Sequence, residues 1–495
     1  MSDVAFVDTT LRDGNQSLWA YNMRTAAMLE AIEGMDRAGF ESMEFFSATM
    51  IKKYVREHKE NPWRWLREGS RRARHTPLRL HGSIRGGLEK KPTSVTRLLI
   101  RHIVDCGIRL TRNSNPWNDY SVFRQEVEDL RELGMDTVVN IIYSVSPRHT
   151  DAYYAEKARE AAALKPYRVC FKDVGGMLTP ERTRTLVPIV LENIGDTPVE
   201  FHAHCNNGLA PLNYLEAIKL GMTTIHTSMP PLANASAQPS VFNMLRNVRA
   251  MGHTVDVDEE VLKPVRQHFT FVAKRDGLPV GAPAAFDQSV YSHQVPGGMI
   301  ANFVHQLRLV GMEDKLPAAL EEAARVRAEW GYPIMVTPLS QFVGTQAAIN
   351  IIMGERYKQV TDQSIQYALG IWGRQGAEYM DPDVKDRILG RPRARAWENW
   401  EQPDPSLEEV RAQLGTSLSD EELIMRVYAG DEAVDALRNA GRPREYLSAS
   451  QPLVRLINEL TRQQEYTQVH IRKPGFSLSL GKAEGGGNDG MAGAT

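Results

Sequence analysis

The sequence predicts an α/β chain: a (β/α)8 TIM barrel followed by a mostly helical second domain. Three observations carry this reading. Short apolar runs alternate with longer amphipathic ones through the first half of the chain. The alternation repeats eight times in about 250 residues, the size of one such barrel. After about residue 290 the strand-like runs fade while helical periodicity continues.

Taken in order, the strand-like runs are Val4–Val7, Ser42–Phe46, Leu78–Ile84, Ile108–Arg112, Thr137–Tyr143, Arg168–Phe171, Val199–His204 and Thr224–Thr227. The helical patterns between and after them cover Arg24–Ala38, Pro62–Arg74, Val95–Cys106, Tyr120–Leu133, Ala152–Leu164, Pro180–Asn193, Leu209–Leu220 and Ser240–Met251. A doubly wound open sheet is the competing arrangement. That fold places a Gly-rich phosphate loop after its first strand, and here the first strand runs into DTTLRDGNQS instead.

In the second half, helical patterns fall at Met299–Leu309, Leu316–Trp330, Gln341–Met353, Leu407–Leu414, Asp420–Val427 and Pro452–Gln463. Gln375–Pro405, rich in Pro, Arg and Asp, reads as an extended crossing. The expected division is a barrel over residues 1–290, a helical domain over 291–474 and a disordered tail over 475–495, whose final GGGNDGMAGAT has little to bury.

Bulk properties narrow the function classes. In 495 residues the formal net charge is −2, so no basic field points to nucleic acid. No apolar run reaches the roughly 18 residues of a membrane span. The N-terminus lacks the basic and apolar regions of a secretory signal. Three cysteines (Cys106, Cys170, Cys205) make neither a disulfide framework nor a zinc-like CxxC, so a reducing cytoplasm is the expected setting.

A barrel of this kind works at the C-terminal ends of its strands. Arg12, Asp13 and Gln16 follow the first strand, Arg85 the third, and Lys172 and Asp173 the sixth, while His202 and His204 lie on the seventh. Residues i and i+2 of a strand share a face, so both imidazoles can reach one ion, with Asp13 as a carboxylate ligand. Alone, an HxH is as readily a pair of satisfied core histidines. Lys172 should point into the barrel, where a charged amine is costly. It could pair with a carboxylate, form a Schiff base, or take up CO2 as a carbamate and so become an anionic ligand. Two histidines on the next strand favour the carbamate, because an ammonium beside a divalent ion is repelled. Arg12, Gln16 and Arg85 suit a small carboxylate with an adjacent carbonyl, since guanidinium groups bind carboxylate in two-pronged fashion.

At these residues the chain resembles a known family. DTTLRDGNQSLWA (Asp8–Ala20), IRGG (Ile84–Gly87), FKDVGGMLTP (Phe171–Pro180) and FHAHCNNG (Phe201–Gly208) are similar, in order and spacing, to motifs of the pyruvate carboxyltransferase family. QVPGGMIANFVHQL (Gln294–Leu307) and GYPIMVTPLSQFVGTQAAINIIMGERY (Gly331–Tyr357) extend the resemblance, which covers about residues 3 to 370. That family comprises the carboxyltransferase domain of pyruvate carboxylase, the alpha subunit of oxaloacetate decarboxylase and the metal subunit of transcarboxylase. The resemblance implies that Asp13, carbamylated Lys172, His202 and His204 bind a divalent metal (Zn, Mn, Co or Mg). It implies that Arg12, Gln16 and Arg85 bind a 2-oxo acid such as pyruvate or oxaloacetate, and that Thr337 shuttles a proton between acceptor and biotin. Read alone, Thr337 is an N-cap, since it precedes Pro338 and a helix.

The chain departs from the family around this centre. The family's WGGATFD is FFSATMI (Phe45–Ile51) here, its RIFDxxND is RNSNPWND with Asn115 in place of an aspartate, and its NxxGY after Arg85 is GLEKK. Its SSMSGGTSQPS is SMPPLANASAQPS (Ser228–Ser240). These walls point to an acceptor that need not be pyruvate. No AMKM-like biotinylation motif is present; Lys482 sits in SLGKAEG. Biotin is therefore expected on a separate carrier protein, served by a biotin carboxylase subunit, with this chain a homodimer by resemblance. Two other functions compete: a metal-dependent barrel lyase, aldolase or acyl-CoA condensing enzyme without biotin, which would lack the lysine ligand and the VTPxSQ motif, and a non-catalytic scaffold, which would have lost ligands.

Overall fold

Eight short parallel strands close on themselves in this computed structural model, which describes residues 3–85, 90–295, 307–441, 468–473 and 476–481, together with 300, 303, 304 and 460. They are β1 (Ala5–Asp8), β2 (Ser42–Ser47), β3 (Leu78–His81), β4 (Leu110–Asn113), β5 (Asp136–Ile142), β6 (Arg168–Asp173), β7 (Val199–Ala203) and β8 (Thr224–Thr227), joined in sequence order. The barrel closes where Ala5, Phe6, Val7 and Asp8 pair with Thr224, Ile225, His226 and Thr227. Parallel strands wrapped by helices are buried on both faces, which is why they read as apolar runs rather than alternating ones. β3 ends at His81, three residues before the expected Ile84, because Gly82 and Ser83 turn the chain out of the sheet.

The expected helices fill the gaps between strands, for example Thr25–Asp36, Pro62–Arg72, Asp151–Ala163 and Pro180–Ile194. Their starts obey capping chemistry. Asn61, Thr150 and Thr179 each accept a backbone N–H of the first turn, at Trp63, Tyr153 and Arg182. An additional helix, Glu259–Asp276, follows the barrel, capped by Asp258.

The chain divides into two compact units, Met1–Pro443 and Arg444–Thr495. Within the first, helices Leu316–Glu329 and Leu339–Met353 pack around an apolar cluster of their own that includes Val326, Trp330, Leu339, Val343, Ile365 and Tyr367. Trp117 of the loop after β4 enters this cluster, and its ring Nε1–H donates to the Trp372 carbonyl at 3.1 Å. Gly376 makes room for it: a Cβ there would lie 2.6 Å from the Trp117 ring. Farther on, helix Asp420–Ala429 returns to the barrel, where Trp63 and Arg56 donate to the carbonyls of Glu421 and Ala429.

Two expectations are corrected here. Gln375–Pro405 is not an extended crossing: it holds helices Arg374–Tyr379 and Pro382–Leu389 and a 3₁₀ turn, Pro392–Ala396. Asp381–Pro382, read as a breaker, is an N-cap followed by proline at the first helical position, and the Asp381 carboxylate accepts from Asp383 and Val384. The tail expected from residue 475 begins later, because β9 (Gln468–Lys473) and β10 (Phe476–Gly481) form an antiparallel hairpin in the second unit. The alternation Phe-Ser-Leu-Ser-Leu is a strand period. Most of the helix expected at Pro452–Gln463, the tail from residue 482, and parts of Met299–Leu309 lie outside the described residues. Among the described residues no helix is long and apolar enough to cross a membrane.

Candidate active site

β1 runs directly into a π-helical turn, Thr10–Gly14, that carries Arg12 and Asp13 over the strand ends. Gly14 is required by contact: a Cβ would lie 2.8 Å from the Leu232 carbonyl in the loop after β8. Lys172 and His202 are register partners on β6 and β7, so they sit side by side with both side chains facing the barrel interior.

Asp13, His202 and His204 bring one donor atom each to within 4.8 Å of one another, all buried. The Asp13 oxygens lie 3.5 Å from His202 Nε2 and 3.8 Å from His204 Nε2, and the two Nε2 atoms are 3.1 Å apart. His204 Nδ1 is 2.6 Å from the Ser236 carbonyl, which only accepts, so its proton is on Nδ1 and its Nε2 lone pair faces the cluster. A lone pair, a second imidazole nitrogen and a carboxylate converging in a buried space repel one another unless a cation lies between them. The donor set therefore fits a divalent metal with mixed nitrogen and oxygen ligands.

Lys172 is buried beside these groups. Burial, reinforced by the positive charge of Arg112, lowers its amine to about 7. Among the described residues no carboxylate forms an ion pair with it, so pairing does not explain its place. For Asp13, burial pushes the carboxyl up but the charges of Arg12, His204 and Arg112 outweigh it, leaving the group well below the usual carboxylate range. It is ionised at any working pH.

Arg12 and Arg112 flank Glu44 of β2. Glu44 Oε2 accepts from Arg12 Nε and Nη2 at 2.8 and 2.5 Å, and Oε1 lies 2.6 Å from Arg112 Nε and Nη2. Arg12 Nη2 also donates to Asp13 at 2.7 Å and Nη1 to Gln16 at 3.1 Å. Tyr21 donates its hydroxyl to the same Gln16 oxygen at 2.7 Å. With that oxygen taken up, the Gln16 amide N–H is the donor left for a ligand.

The structure brings together Arg12, Asp13, Gln16, Lys172, His202 and His204. It does not bring Arg85 to them. Early termination of β3 lets Arg85 swing outward to Asp129 at 2.5 Å and Glu126 at 3.6 Å, with 43 % of its side chain exposed. Thr337 is exposed, ahead of helix Leu339–Met353 and not its N-cap, which is Pro338. Asn115 shapes its own loop by accepting from the backbone of Trp117 and Asp119. Sequence reasoning missed Glu44, Arg112 and His81, which sits between the registers of Ser47 and Arg112 at the end of β3. The signal was a charged or polar residue inside an otherwise apolar parallel strand.

Residues 109–267 match the HMGL-like family and residues 290–473 the conserved carboxylase domain family. The B subunit of pyruvate carboxylase from Methanocaldococcus jannaschii is 34% identical over 389 residues, 78% of this chain and 68% of that one. The 2-oxoglutarate carboxylase large subunit of Hydrogenobacter thermophilus is 30% identical over 432 residues, 85% of this chain and 66% of that one. The carboxyl transferase domain of Rhizobium etli pyruvate carboxylase, solved with pyruvate, superposes with a TM-score of 0.79 at 20% identity, covering 97% of this chain and 83% of that one, a likeness of fold. The carboxylase-domain match is what a lyase or aldolase reading leaves unexplained. Together these relations show that the chain belongs to the pyruvate carboxyltransferase family and is a carboxyltransferase of the biotin-dependent carboxylase type.

Proposed function

We propose that this chain moves a carboxyl group between carboxybiotin, borne on a separate carrier protein, and a small 2-oxo acid. The observation that supports it most is the buried cluster of Asp13, His202, His204 and Lys172 beside two arginines in one barrel mouth. Asp13, the two histidines and a carbamate on Lys172 would hold a divalent ion (Zn, Mn, Co or Mg). Such an ion supplies Lewis acidity toward the carbonyl of the acceptor. Arg12 and the Gln16 amide orient the acceptor carboxylate, with Arg112 adding positive charge. Arg85 enters this reading only if its loop turns inward, and its partners Glu126 and Asp129 oppose that.

In the carboxylating direction the N–CO2 bond of carboxybiotin breaks and frees CO2. The Thr337 hydroxyl passes a proton from the acceptor carbon to the biotin nitrogen, since a hydroxyl both accepts and donates. The acceptor carbon then bonds to CO2, and decarboxylation is the reverse. The relatives' names include pyruvate carboxylase and 2-oxoglutarate carboxylase, so the acceptor class is a 2-oxo acid. The archaeal relative is one subunit of a divided pyruvate carboxylase, which fits work alongside a biotin carboxylase partner. We place the assembly, as a homodimer, in a reducing cytoplasm, where Cys106, Cys170 and Cys205 stay free thiols.

The test is to incubate the purified chain with free biotin and a panel of β-carboxy-2-oxo acids and to follow CO2 release. The reading expects biotin-stimulated decarboxylation of at least one member, abolished by a chelator. Release indifferent to biotin for every member would sink it.

A further inference from the structure

The interior of a (β/α)8 barrel is ordinarily filled by layers of bulky apolar side chains. Below the metal cluster this barrel instead holds a fully buried polar chain. His202 Nδ1 lies 2.9 Å from His226 Nδ1 of β8, and His226 Nε2 lies 3.0 Å from Glu200 Oε1 of β7. Arg79 Nη1 of β3 donates to both oxygens of Glu200 at 2.8 Å. Arg79 Nη2 continues the chain to Glu41 at 2.8 Å, and Arg168 reaches Glu41 at 3.0 Å. Arg79, Glu200, His202 and His226 have no exposed surface.

The donors and acceptors along this chain allow one proton order. Arginine only donates, and its fork on Glu200 keeps that residue a carboxylate, which only accepts. His226 must therefore place its proton on Nε2 to donate to Glu200, which leaves its Nδ1 an acceptor. His202 must then carry its proton on Nδ1, and its Nε2 lone pair is turned toward Asp13 and His204. A second contact agrees from the other side: the Gln238 amide nitrogen, a donor only, lies 3.3 Å from His202 Nε2. The Gln238 oxygen is turned to the hydroxyls of Thr9 and Ser228.

We infer that Arg79, Glu200 and His226 are positioning residues: a buried relay that fixes the His202 tautomer and so presents its Nε2 as a metal ligand. The inference deepens the metal reading above and rests on it for its purpose, although the tautomer itself exists without an ion. A hydrogen-bonded outer partner typically orients a ligating imidazole and strengthens its binding. The relay also explains charged residues in strand interiors that serve no contact with an acceptor.

The experiment compares Co(II) affinity, read from the visible bands of the ion under competition with a chelating dye, in the full-length protein, His226→Gln and His226→Leu. Glutamine keeps the polarity, with its N–H toward Glu200 and its oxygen toward His202, so its affinity should stay close to the parent's. Leucine breaks the relay and should weaken binding about 10- to 100-fold. Leucine binding as tightly as the parent, or glutamine binding as weakly as leucine, would overturn the inference. Solid-state 15N spectra of the metal-free parent labelled at histidine decide it independently of how the variants fold, with His202 assigned by its loss in His202→Gln. A proton on Nδ1 supports the relay and one on Nε2 overturns it. A parent that binds no Co(II) but shows the Nδ1 proton would sink the metal reading alone.

Discussion

Glu44→Gln tests the idea that one buried carboxylate holds the acceptor-facing arginines apart and in place. Its four N···O contacts to Arg12 and Arg112 lie between 2.5 and 2.8 Å, and the Glu44 side chain has no exposed surface. Burial raises its carboxyl, but Arg112 and Arg12 outweigh this and hold it well below the usual range, so it is charged at neutral pH. Glutamine preserves shape but removes the charge, leaving two buried guanidinium groups with only Asp13 between them and the cluster. Two unit charges 4 Å apart interact by about 4 kcal/mol at an effective dielectric of 20. Breaking a buried pair typically costs about 3–5 kcal/mol. The retained amide oxygen still accepts from one arginine, so a loss of about 3 kcal/mol is expected, read as a lower urea midpoint at unchanged slope. Glu68→Gln serves as control: it removes the half-exposed pair with Arg64 and should shift stability by less than about 1 kcal/mol. If Glu44→Gln matched the control, the carboxylate would not be holding the arginines.

Lys172, lowered to about 7 by burial and by Arg112, should react with CO2 as a neutral amine at physiological pH. Carbamate formation followed with 13C-labelled CO2 should rise with pH and level off near 7; a rise continuing toward about 10.4 would mark an ordinary lysine. The folded amine binds its proton more weakly than the unfolded one, so the penalty on stability is full below about pH 7 and fades as pH climbs toward about 10.4. Arg12→Lys should lower kcat/KM for the acceptor by tenfold or more, on the order of 1.4 kcal/mol, because a point charge replaces a forked donor. Arg85→Ala should leave it nearly unchanged, given the outward pairing with Asp129; a comparable loss in both variants would show that Arg85 turns inward. Thr337→Ala should abolish biotin-stimulated decarboxylation without altering metal content, and Thr337→Ser should retain it; retention in the alanine variant would remove Thr337 from the proton path.

The barrel was legible because parallel strands buried on both faces leave apolar runs whose number and spacing survive in the sequence. The ligand set was legible for a similar reason: His202 and His204 share a face by strand period, and Lys172 lies one register step away on β6. Loops were less so. Arg85 was expected inward, but four residues of turn separate it from the end of β3, and carboxylates on the neighbouring helix capture it. Asp381–Pro382 was read as a break because cap chemistry and loop chemistry use the same residues. The polar layer of Arg79, Glu200 and His226 was present as isolated charges in LRL, VEFHA and TIHT, yet which strand faces which across a barrel emerges only on closure.

Metal content per chain, measured in protein prepared with bicarbonate for the parent and for Lys172→Ala, tests the central claim most directly. The account predicts about one divalent ion in the parent and its loss in the variant, since structural donor sets close at about four ligands. A metal-free parent, or a Lys172→Ala protein that keeps its ion in full, would contradict it.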